Sequence, residues 1–196
     1  MEQWLRREYP RIRAAAKREK AEVYFEDESD VRSDFHSGKT WAKKGETPIV
    51  RVTEQRFSLN LIPAIGPRGA LRFIVVKDGV GARVFIAFLK CLMHASRRPV
   101  YPIVDGHPSH RAKAVKAYVE SLGGRLKLFF LPPYSPELNP DELVWNDVKK
   151  NAVGRSKLEG PKDLHRAIVD RLRFPQKRPD QVRSFFRAPE TRYAAA

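Results

Sequence analysis

The order of the predicted elements along the chain indicates an α/β domain, in which a mixed sheet is flanked by helices. Closely spaced strands joined by a tight turn come first, which is typical of an antiparallel meander. Apolar runs that alternate with helical patterns follow, which is typical of parallel strands joined by crossover helices. The length of 196 residues suits one domain of this kind with its own core.

The strands are predicted from short apolar runs bounded by turn residues. In the first, residues 22–27, period-2 alternation places Val23, Phe25 and Asp27 on one face. Glycines at both ends of residues 66–69 predict a hairpin turn. The other predicted strands are 49–53, 56–65, 70–76, 99–104 and 126–131.

The helices are predicted from apolar residues that recur every three or four positions. One of them, 112–122, is expected to stop at the pair Gly123-Gly124. The others are 81–96, 140–153 and 161–172, and residues 1–20 suggest a polar helix or a linker. The ribonuclease H-like fold is one architecture with this order of strands and helices.

Basic residues far outnumber acidic ones. The sequence has 38 Lys and Arg against 23 Asp and Glu, a formal net charge of +15 at pH 7. Such an excess favours a polyanionic partner, because contacts to phosphates release condensed counterions. The alternative is a generally basic surface with no specific ligand. The charge therefore favours a nucleic acid as partner and leaves the chemistry open.

Nothing in the sequence indicates export or a membrane anchor. Residues 1–20 lack the apolar segment of a secretory signal, and no run approaches the roughly 18 apolar residues of a membrane span. The one cysteine, Cys91, lies in the apolar run 84–93, where we expect it to pack in the core. We expect a cytoplasmic protein, associated with the nucleoid if bacterial, and no membrane partner.

Three acidic residues fall at the ends of predicted core elements. Asp27 ends the first strand, Asp105 follows the strand 99–104, and Glu142 lies in the first turn of the helix 140–153. Carboxylates that meet at a sheet edge repel one another unless cations offset them, and Mg²⁺ or Mn²⁺ prefers such oxygen ligands. Two such ions can catalyse displacement at a phosphodiester.

Each of the three acids also has an explanation without a function. Asp27 has acidic neighbours on both sides, so the residues alone do not select it. Asp105 precedes Gly106, and Asp-Gly is a common turn dipeptide. Glu142 could cap its own helix, with Asn139 as the N-cap. The hypothesis therefore depends on all three together.

Four segments resemble the motifs of mariner-related insertion-sequence transposases of the DDE superfamily. The most specific is LPPYSPELNPDELVW at 131–145, which is similar to the sequence around the last acidic residue of that family. VDGHPSH at 104–110 resembles the second acidic motif and YFEDE at 24–28 the first. TWAKKG at 40–45 resembles a further family segment, and the resemblance extends over about 21–186.

The resemblance implies a catalytic triad of Asp27, Asp105 and Glu142 that binds two Mg²⁺ or Mn²⁺ ions. It implies cleavage of double-stranded DNA at transposon ends and attack of a 3′ hydroxyl on target DNA. A homodimer is expected because paired ends need paired active sites, and no small-molecule substrate is expected. Residues 21–186 would form the catalytic domain and 187–196 a tail.

Two departures from the family pattern are visible. Relatives usually carry a helix-turn-helix region before the catalytic domain, whereas this sequence begins with the basic stub 1–20, which would be the remnant of a connection to such a region. Many relatives also have Asn at the position of Gly106. The alternatives are a catalytically silent DNA-binding or subunit-interaction module, and a ribonuclease H-like nuclease that performs no strand transfer.

Other residues are candidates for a supporting role. His110, Asn139 and Tyr134 could support the active site; His110 could equally cap a helix or pack in the core. The pattern Asp105-x-His107-x-x-His110 also permits zinc, but no cysteine lies near it. Candidate DNA contacts, which could equally be exposed surface residues, are Lys39, Trp41, Lys43, Lys44, Arg51, Arg111, Lys149 and Lys150.

Overall fold

The sheet of this computed structural model contains parallel and antiparallel strands. The structure describes residues 1–35, 44–45, 56–77, 79–94, 96–154 and 158–195. Its strands are β1 (Glu22–Glu26), β2 (Ser29–Arg32), β3 (Ser58–Ile65), β4 (Leu71–Val76), β5 (Val100–Val104) and β6 (Phe129–Phe130). Antiparallel pairs join β3 to β1, β2 and β4, and parallel pairs join β5 to β1 and β6. The predicted mixed α/β architecture is confirmed.

β1 and β2 are two segments that pair with the same strand. The pair Phe25↔Ile65 of β1 and the pair Ser29↔Leu61 of β2 belong to one uninterrupted antiparallel register along β3. Asp27 and Glu28 lie between the two segments. The first acidic residue of the predicted triad therefore sits where the strand is interrupted.

Helices cover both faces of the sheet. They are α1 (Tyr9–Glu19), α2 (Ala82–His94), α3 (Lys113–Ser121), α4 (Asp141–Val148), α5 (Pro161–Gln176) and α6 (Pro179–Ser184). A π-helical turn, Trp4–Glu8, precedes α1, and another, Lys149–Val153, continues α4. Gly123 and Gly124 have φ of +55° and +86°, so α3 ends in the glycine-dependent conformation that the sequence predicts.

Two hydrophobic cores result, one on each face. Alternate residues of the strands supply both, so that Phe25 faces one core and Tyr24 the other. Side chains of α1, α4, α5 and α6 fill the first core, which includes Trp145, and side chains of α2 and α3 fill the second. The core position of Trp145 is the one that the sequence favours.

Both ends of the chain contribute to the first core. Trp4, Tyr9, Ile12 and Ala16 are buried there. The Tyr9 hydroxyl donates a hydrogen bond to the carbonyl of Ala194 at 3.3 Å. The segment expected as a stub is thus helical and packed, and the boundaries predicted at residues 20 and 186 remain predictions.

Some elements differ from the expected ones. The strand predicted at 126–131 is reduced to β6 with an isolated bridge at Leu126, and the helix predicted at 161–172 continues to Gln176. β2 and α6 are not predicted by the sequence, and the strand predicted at 49–53 lies outside the described residues. Among the residues that the structure describes, no helix has the length and apolar character needed to span a membrane.

The expectation that Cys91 packs in the core is wrong. Its side chain is exposed. The apolar residues of α2 recur at Phe85, Phe88, Leu89 and Leu92, and all four are buried. Cys91 lies between these positions on the helix, on the side that faces solvent.

Candidate active site

The register of two neighbouring parallel strands brings Asp27 and Asp105 together. Phe25 of β1 pairs with Ile103 of β5, and each aspartate lies two residues further along its strand. Because parallel strands end at the same edge of a sheet, both carboxylates emerge there. Asp27, Glu28 and Asp105 each offer a carboxylate oxygen, and these three atoms lie within 4.8 Å of one another.

Glu142 lines the same cavity from α4. The cavity has a volume of about 540 Å³ and is lined by Asp27, Glu28, Asp105, Glu142 and the loop that leads into α4. Glu142 is not a member of the 4.8 Å group of oxygens. The structure therefore places Asp27 and Asp105 close together. Glu142 lines the same cavity but does not lie within 4.8 Å of both aspartates.

The charges in this cavity act strongly on one another. Burial raises the pKa of Asp27 to about 8, with the negative charges of Glu142 and Asp105 as the next largest causes. Burial also raises the pKa of Asp105, but hydrogen bonds from His110 and from the His107 backbone N–H outweigh it and leave that pKa lowered. Asp105 is thus held as a carboxylate, whereas Asp27 needs a cation to ionise readily at neutral pH.

His110 is a buried cation behind the cavity. Its side chain is almost inaccessible, with Nδ1 3.0 Å from Asp105 Oδ1 and Nε2 2.8 Å from Glu28 Oε2. Burial lowers the pKa of His110, but the hydrogen bonds to Asp105 and Glu28 and nearby carboxylate charges raise it to about 10. The ring thus pairs with both carboxylates, and the supporting role expected for His110 stays a prediction.

Glu28 is a site residue that sequence reasoning does not select. Its Oε2 lies 2.8 Å from His110 Nε2, and its Oε1 lies 2.7 Å from His107 Nδ1. Glu28, His107 and His110 form a second group whose potential ligand atoms lie within 4.8 Å of one another. In this structure both histidines pair with the Glu28 carboxylate, and the zinc alternative would use the same three residues.

Two further acids lie beneath the cavity. Glu26 and Asp141 are completely buried. Burial raises the pKa of each well above its usual range, and nearby carboxylates add to the shift. Burial thus disfavours the ionised form of both side chains. The only sequence signal for them is that each adjoins a predicted triad member, Asp27 or Glu142.

Asn139 connects the end of β1 to the beginning of α4. Its Nδ2 donates to the Glu26 carbonyl at 3.4 Å, and its Oδ1 accepts from the Asp141 backbone N–H at 3.1 Å. The residue is buried. Asn139 therefore fixes the helix that carries Glu142 relative to the strand that precedes Asp27.

Tyr134 lies at the rim of the same cavity. Its side chain is fully exposed, with 101% relative accessibility, and its φ is +53°. A left-handed conformation is uncommon for a bulky residue and costs roughly 1–2 kcal/mol. Prolines at 132, 133 and 136 flank it in the loop and restrict the chain. Tyr134 is therefore presented to solvent beside the carboxylates.

The candidate DNA contacts that the structure describes lie on separate segments of the chain. Arg111 stacks on Phe130, with its Cζ 4.2 Å from the ring centroid, and Gly106 lies beside its guanidinium. Lys149 Nζ lies 5.9 Å from the centre of the Trp145 ring. Lys44 and Lys150 are exposed. Lys39, Trp41, Lys43 and Arg51 lie outside the described residues.

A mixed sheet whose neighbouring parallel strands present paired carboxylates at one edge is the arrangement expected of the ribonuclease H-like fold. Residues 22–165 match the family model described as DDE superfamily endonuclease, and the chain belongs to that family. No curated protein matches this chain.

Solved structures of Mos1 transposase share the fold. The Mos1 strand transfer complex has a TM-score of 0.67 at 20% identity, and the match covers 98% of this chain and 60% of that one. The Mos1 mariner paired end complex with Mn gives 0.62 at 18% identity, covering 100% and 63%. The catalytic domain of Mos1 mariner transposase gives 0.56 at 14% identity, covering 100% and 96%.

This chain thus spans less than two thirds of the Mos1 chains in the two complexes and almost all of the Mos1 catalytic domain. At these identities the likeness concerns the fold. The predicted relation to mariner transposase catalytic domains is confirmed at the level of family and fold.

Proposed function

We propose that this chain is the catalytic domain of a DNA transposase. It cleaves DNA phosphodiester bonds at transposon ends and transfers the resulting 3′ hydroxyl into target DNA. The observation that carries the proposal is the strand register that sets Asp27 beside Asp105 at a cavity that Glu142 also lines. Membership of the DDE endonuclease family supports the same chemistry.

The residues of the cavity fit divalent cations. The donors in the 4.8 Å group are all carboxylate oxygens, the ligands that Mg²⁺ and Mn²⁺ prefer. Burial and acidic neighbours raise the pKa of Asp27. A bound cation would stabilise the ionised form of this carboxylate and so offset both effects. Asp27, Asp105 and Glu142 would hold two ions, which activate the attacking oxygen and stabilise the leaving oxygen when bound.

The remaining residues of the site orient these ligands. His110 holds Asp105 and Glu28 through its two ring nitrogens, and Asn139 fixes the start of the helix that bears Glu142. The loop that contains Tyr134 forms one wall of the cavity. Catalysis of phosphoryl transfer depends mainly on such positioning and on charge stabilisation.

The substrate is double-stranded DNA, and the active form is a homodimer. The net charge of +15 supports the first statement. The similar Mos1 structures are a strand transfer complex and a paired end complex. Because the fold is shared, we propose a comparable paired arrangement for this chain. The reaction would take place in the cytoplasm, at the nucleoid if the source is bacterial.

The test is metal-dependent nicking of supercoiled DNA by Asp105→Asn and Glu142→Gln. Each change removes a charge and hardly alters volume, so we expect both to abolish nicking in Mg²⁺ or Mn²⁺. The matched control is Asp30→Asn, an exposed carboxylate on β2, which should nick like the unaltered chain. Undiminished nicking by both variants, with unchanged melting temperatures, would contradict the proposal.

A second assay separates a transposase from a simple nuclease. Pre-cut ends with a free 3′ hydroxyl are incubated with target plasmid and Mg²⁺. We expect covalent joining of the ends to the target. Nicking without joining would assign the ribonuclease H-like nuclease alternative instead.

A further inference from the structure

A second cleft lies at the end of the sheet opposite to the candidate active site. It is formed by α1, by the beginning of β1, and by the turn between β3 and β4, and its volume is about 360 Å³. β1 runs from this cleft, where Glu22, Val23 and Tyr24 line it, towards Asp27 at the other end. The two cavities share no lining residue.

Four cationic side chains line this cleft. Arg13 and Lys17 come from α1, Arg68 from the hairpin turn, and Arg98 from the segment before β5. All four are exposed. In the part of the chain that the structure describes, none of them forms an ion pair within 4.0 Å.

The walls of the cleft are held in place by the fold. Arg13 and Lys17 are one turn apart on α1, so they project from the same face with their Cβ atoms about 5–6 Å apart. The Arg68 carbonyl accepts a hydrogen bond from Arg183 Nη1 at 3.2 Å, which ties the opposite wall to α6. The cations therefore face one another across a preformed groove.

Positive charge exceeds negative charge in the lining of the cleft. The single lining carboxylate, Glu22, accepts a hydrogen bond from the Tyr24 hydroxyl at 3.2 Å and stands against four positive groups. Like charges from three separate segments raise the local potential and attract a polyanion. Because the cations are exposed and spread over several elements, they suit an extended row of phosphates better than one small buried anion.

We propose that this cleft binds the phosphate backbone of duplex DNA at a site separate from the catalytic cavity. The interaction is independent of sequence, because the lining offers cationic side chains to phosphates. In a transposition reaction, which needs transposon ends and a target, such a site holds a segment of DNA away from the carboxylates. The inference does not depend on the proposed catalytic function.

The test removes one cation from each wall in the double variant Lys17→Ala/Arg68→Ala. Its matched control is Lys162→Ala/Arg166→Ala, which removes the same two residue types from exposed positions of α5 outside the cleft. Binding to a fluorescent duplex without transposon ends is measured in EDTA between 50 and 200 mM salt. Each lost phosphate contact lowers the slope of log K against log salt by about 0.9.

We expect the cleft variant to lose about 1.8 from this slope and the control to lose much less, with both melting temperatures unchanged. Equal slopes for the two variants would overturn the inference. Inorganic phosphate provides a second comparison, with binding followed by NMR chemical-shift changes. If the cleft variant keeps the salt slope of the unaltered chain but loses the shift changes caused by phosphate, the cleft is a small-anion site and the inference is overturned.

Two further measurements separate this site from the active site. In the Asp105→Asn background, which nicks nothing, the cleft and control variants should differ in slope as they do in the unaltered chain. The cleft variant should still nick DNA in Mg²⁺ at saturating concentration if the catalytic proposal is right. Loss of cleft binding and loss of catalysis are therefore observed independently.

Discussion

A single buried imidazolium organises the acidic side chains at the residue scale. His110 contacts Asp105 and Glu28 through different nitrogens, and Glu26 Oε2 lies 3.9 Å from its Nε2. Breaking a buried ion pair by removing one partner typically costs about 3–5 kcal/mol, because the remaining charge is left without compensation. The positions of the carboxylates therefore depend on a residue that is not itself one of the predicted metal ligands.

We expect His110→Gln to lower the free energy of unfolding by about 3 kcal/mol. Glutamine has a similar length but carries no charge, so Asp105 and Glu28 lose their cation. Urea unfolding of the variant at pH 7 measures the effect. The control is His165→Gln, an exposed position on α5, for which the change should stay within about 0.5 kcal/mol. Equal effects at the two positions would show that His110 is not an essential counter-ion.

The sequence predicts the acidic triad but not the acids around it. Asp27 and Asp105 can be located because each follows an apolar strand at a predictable register. Glu28 cannot be distinguished from Glu26 by alternation, since both fall on the face opposite to Asp27, yet only Glu28 joins the 4.8 Å group. Both glutamates face His110, and only Glu28 also lines the cavity, a difference of position along the strand that alternation does not reveal.

At the scale of elements, a close approach between the β3–β4 turn and α6 fixes the edge of the sheet. Gly69 has φ of +96°, and a Cβ built there would lie 2.6 Å from Pro179 Cβ and 2.7 Å from the Pro179 carbonyl oxygen. Real Cβ atoms do not approach backbone so closely, so any side chain at this position moves the turn or the helix. α6 itself is not predicted from the sequence, because it is short and lies in a proline- and arginine-rich segment.

Gly69→Ala should therefore destabilise the protein more than the left-handed conformation alone explains. Gly45 provides the matched control, because its φ of +92° is similar and, among the described residues, no atom lies within 4 Å of its Cβ position. We expect Gly45→Ala to cost about 1–2 kcal/mol from backbone strain and Gly69→Ala to cost about 1–3 kcal/mol more from overpacking. Denaturant midpoints measure both, and equal losses would mean that the Pro179 contact is easily relieved.

A second contact between elements depends on pH. Glu19 at the end of α1 accepts hydrogen bonds from Lys127 Nζ at 2.8 and 2.7 Å and from the Tyr101 hydroxyl of β5. These hydrogen bonds lower the pKa of Glu19, Lys127 first and Tyr101 next. A carboxylate whose pKa is lowered on folding stabilises the protein above its unfolded-state pKa. That contribution is lost as the pH falls through the lowered value.

We expect Glu19→Gln to melt below the unaltered chain at pH 7, with the difference shrinking as the pH falls below 4.5, the ordinary pKa of the group. Thermal unfolding of both proteins between pH 7 and pH 3 measures this convergence. Glu190→Gln, an exposed position, should show no difference at either end of the range. A pH-independent difference for Glu19→Gln would indicate that packing, and not the charge, stabilises this contact.

At the scale of the whole molecule, the mixed sheet with helices beside it follows from patterns that the sequence shows clearly, whereas the order of its strands is not predicted. β5 is buried along its whole length and reads as a continuous apolar run, as expected for a strand with neighbours on both sides. The N-terminal segment is harder to place, because its many charges obscure a narrow apolar stripe. Tyr9, Ile12 and Ala16 form that stripe at helical spacing. Only the folded structure reveals that it faces the core.

The packing of residues 1–20 predicts that this segment is part of the folded domain. Trp4, Tyr9 and Ile12 are at most 8% exposed and belong to the same core as α4 and α5. Fully burying a large apolar side chain contributes about 1.5–3 kcal/mol, and the net stability of a domain is only about 5–15 kcal/mol. Loss of three such side chains together would therefore remove a large part of the total.

We expect a chain that lacks residues 1–20 to show no cooperative unfolding transition, or one at a much lower temperature than the full chain. Calorimetry of both proteins measures this. Trp4→Ala in the full chain should cost about 3–5 kcal/mol and remain folded, whereas Arg7→Ala, at an exposed position of the same turn, should change stability by less than about 0.5 kcal/mol. A truncated chain that melts like the full one would instead support the boundary at residue 21, with residues 1–20 as a dispensable connection that rests on the catalytic domain.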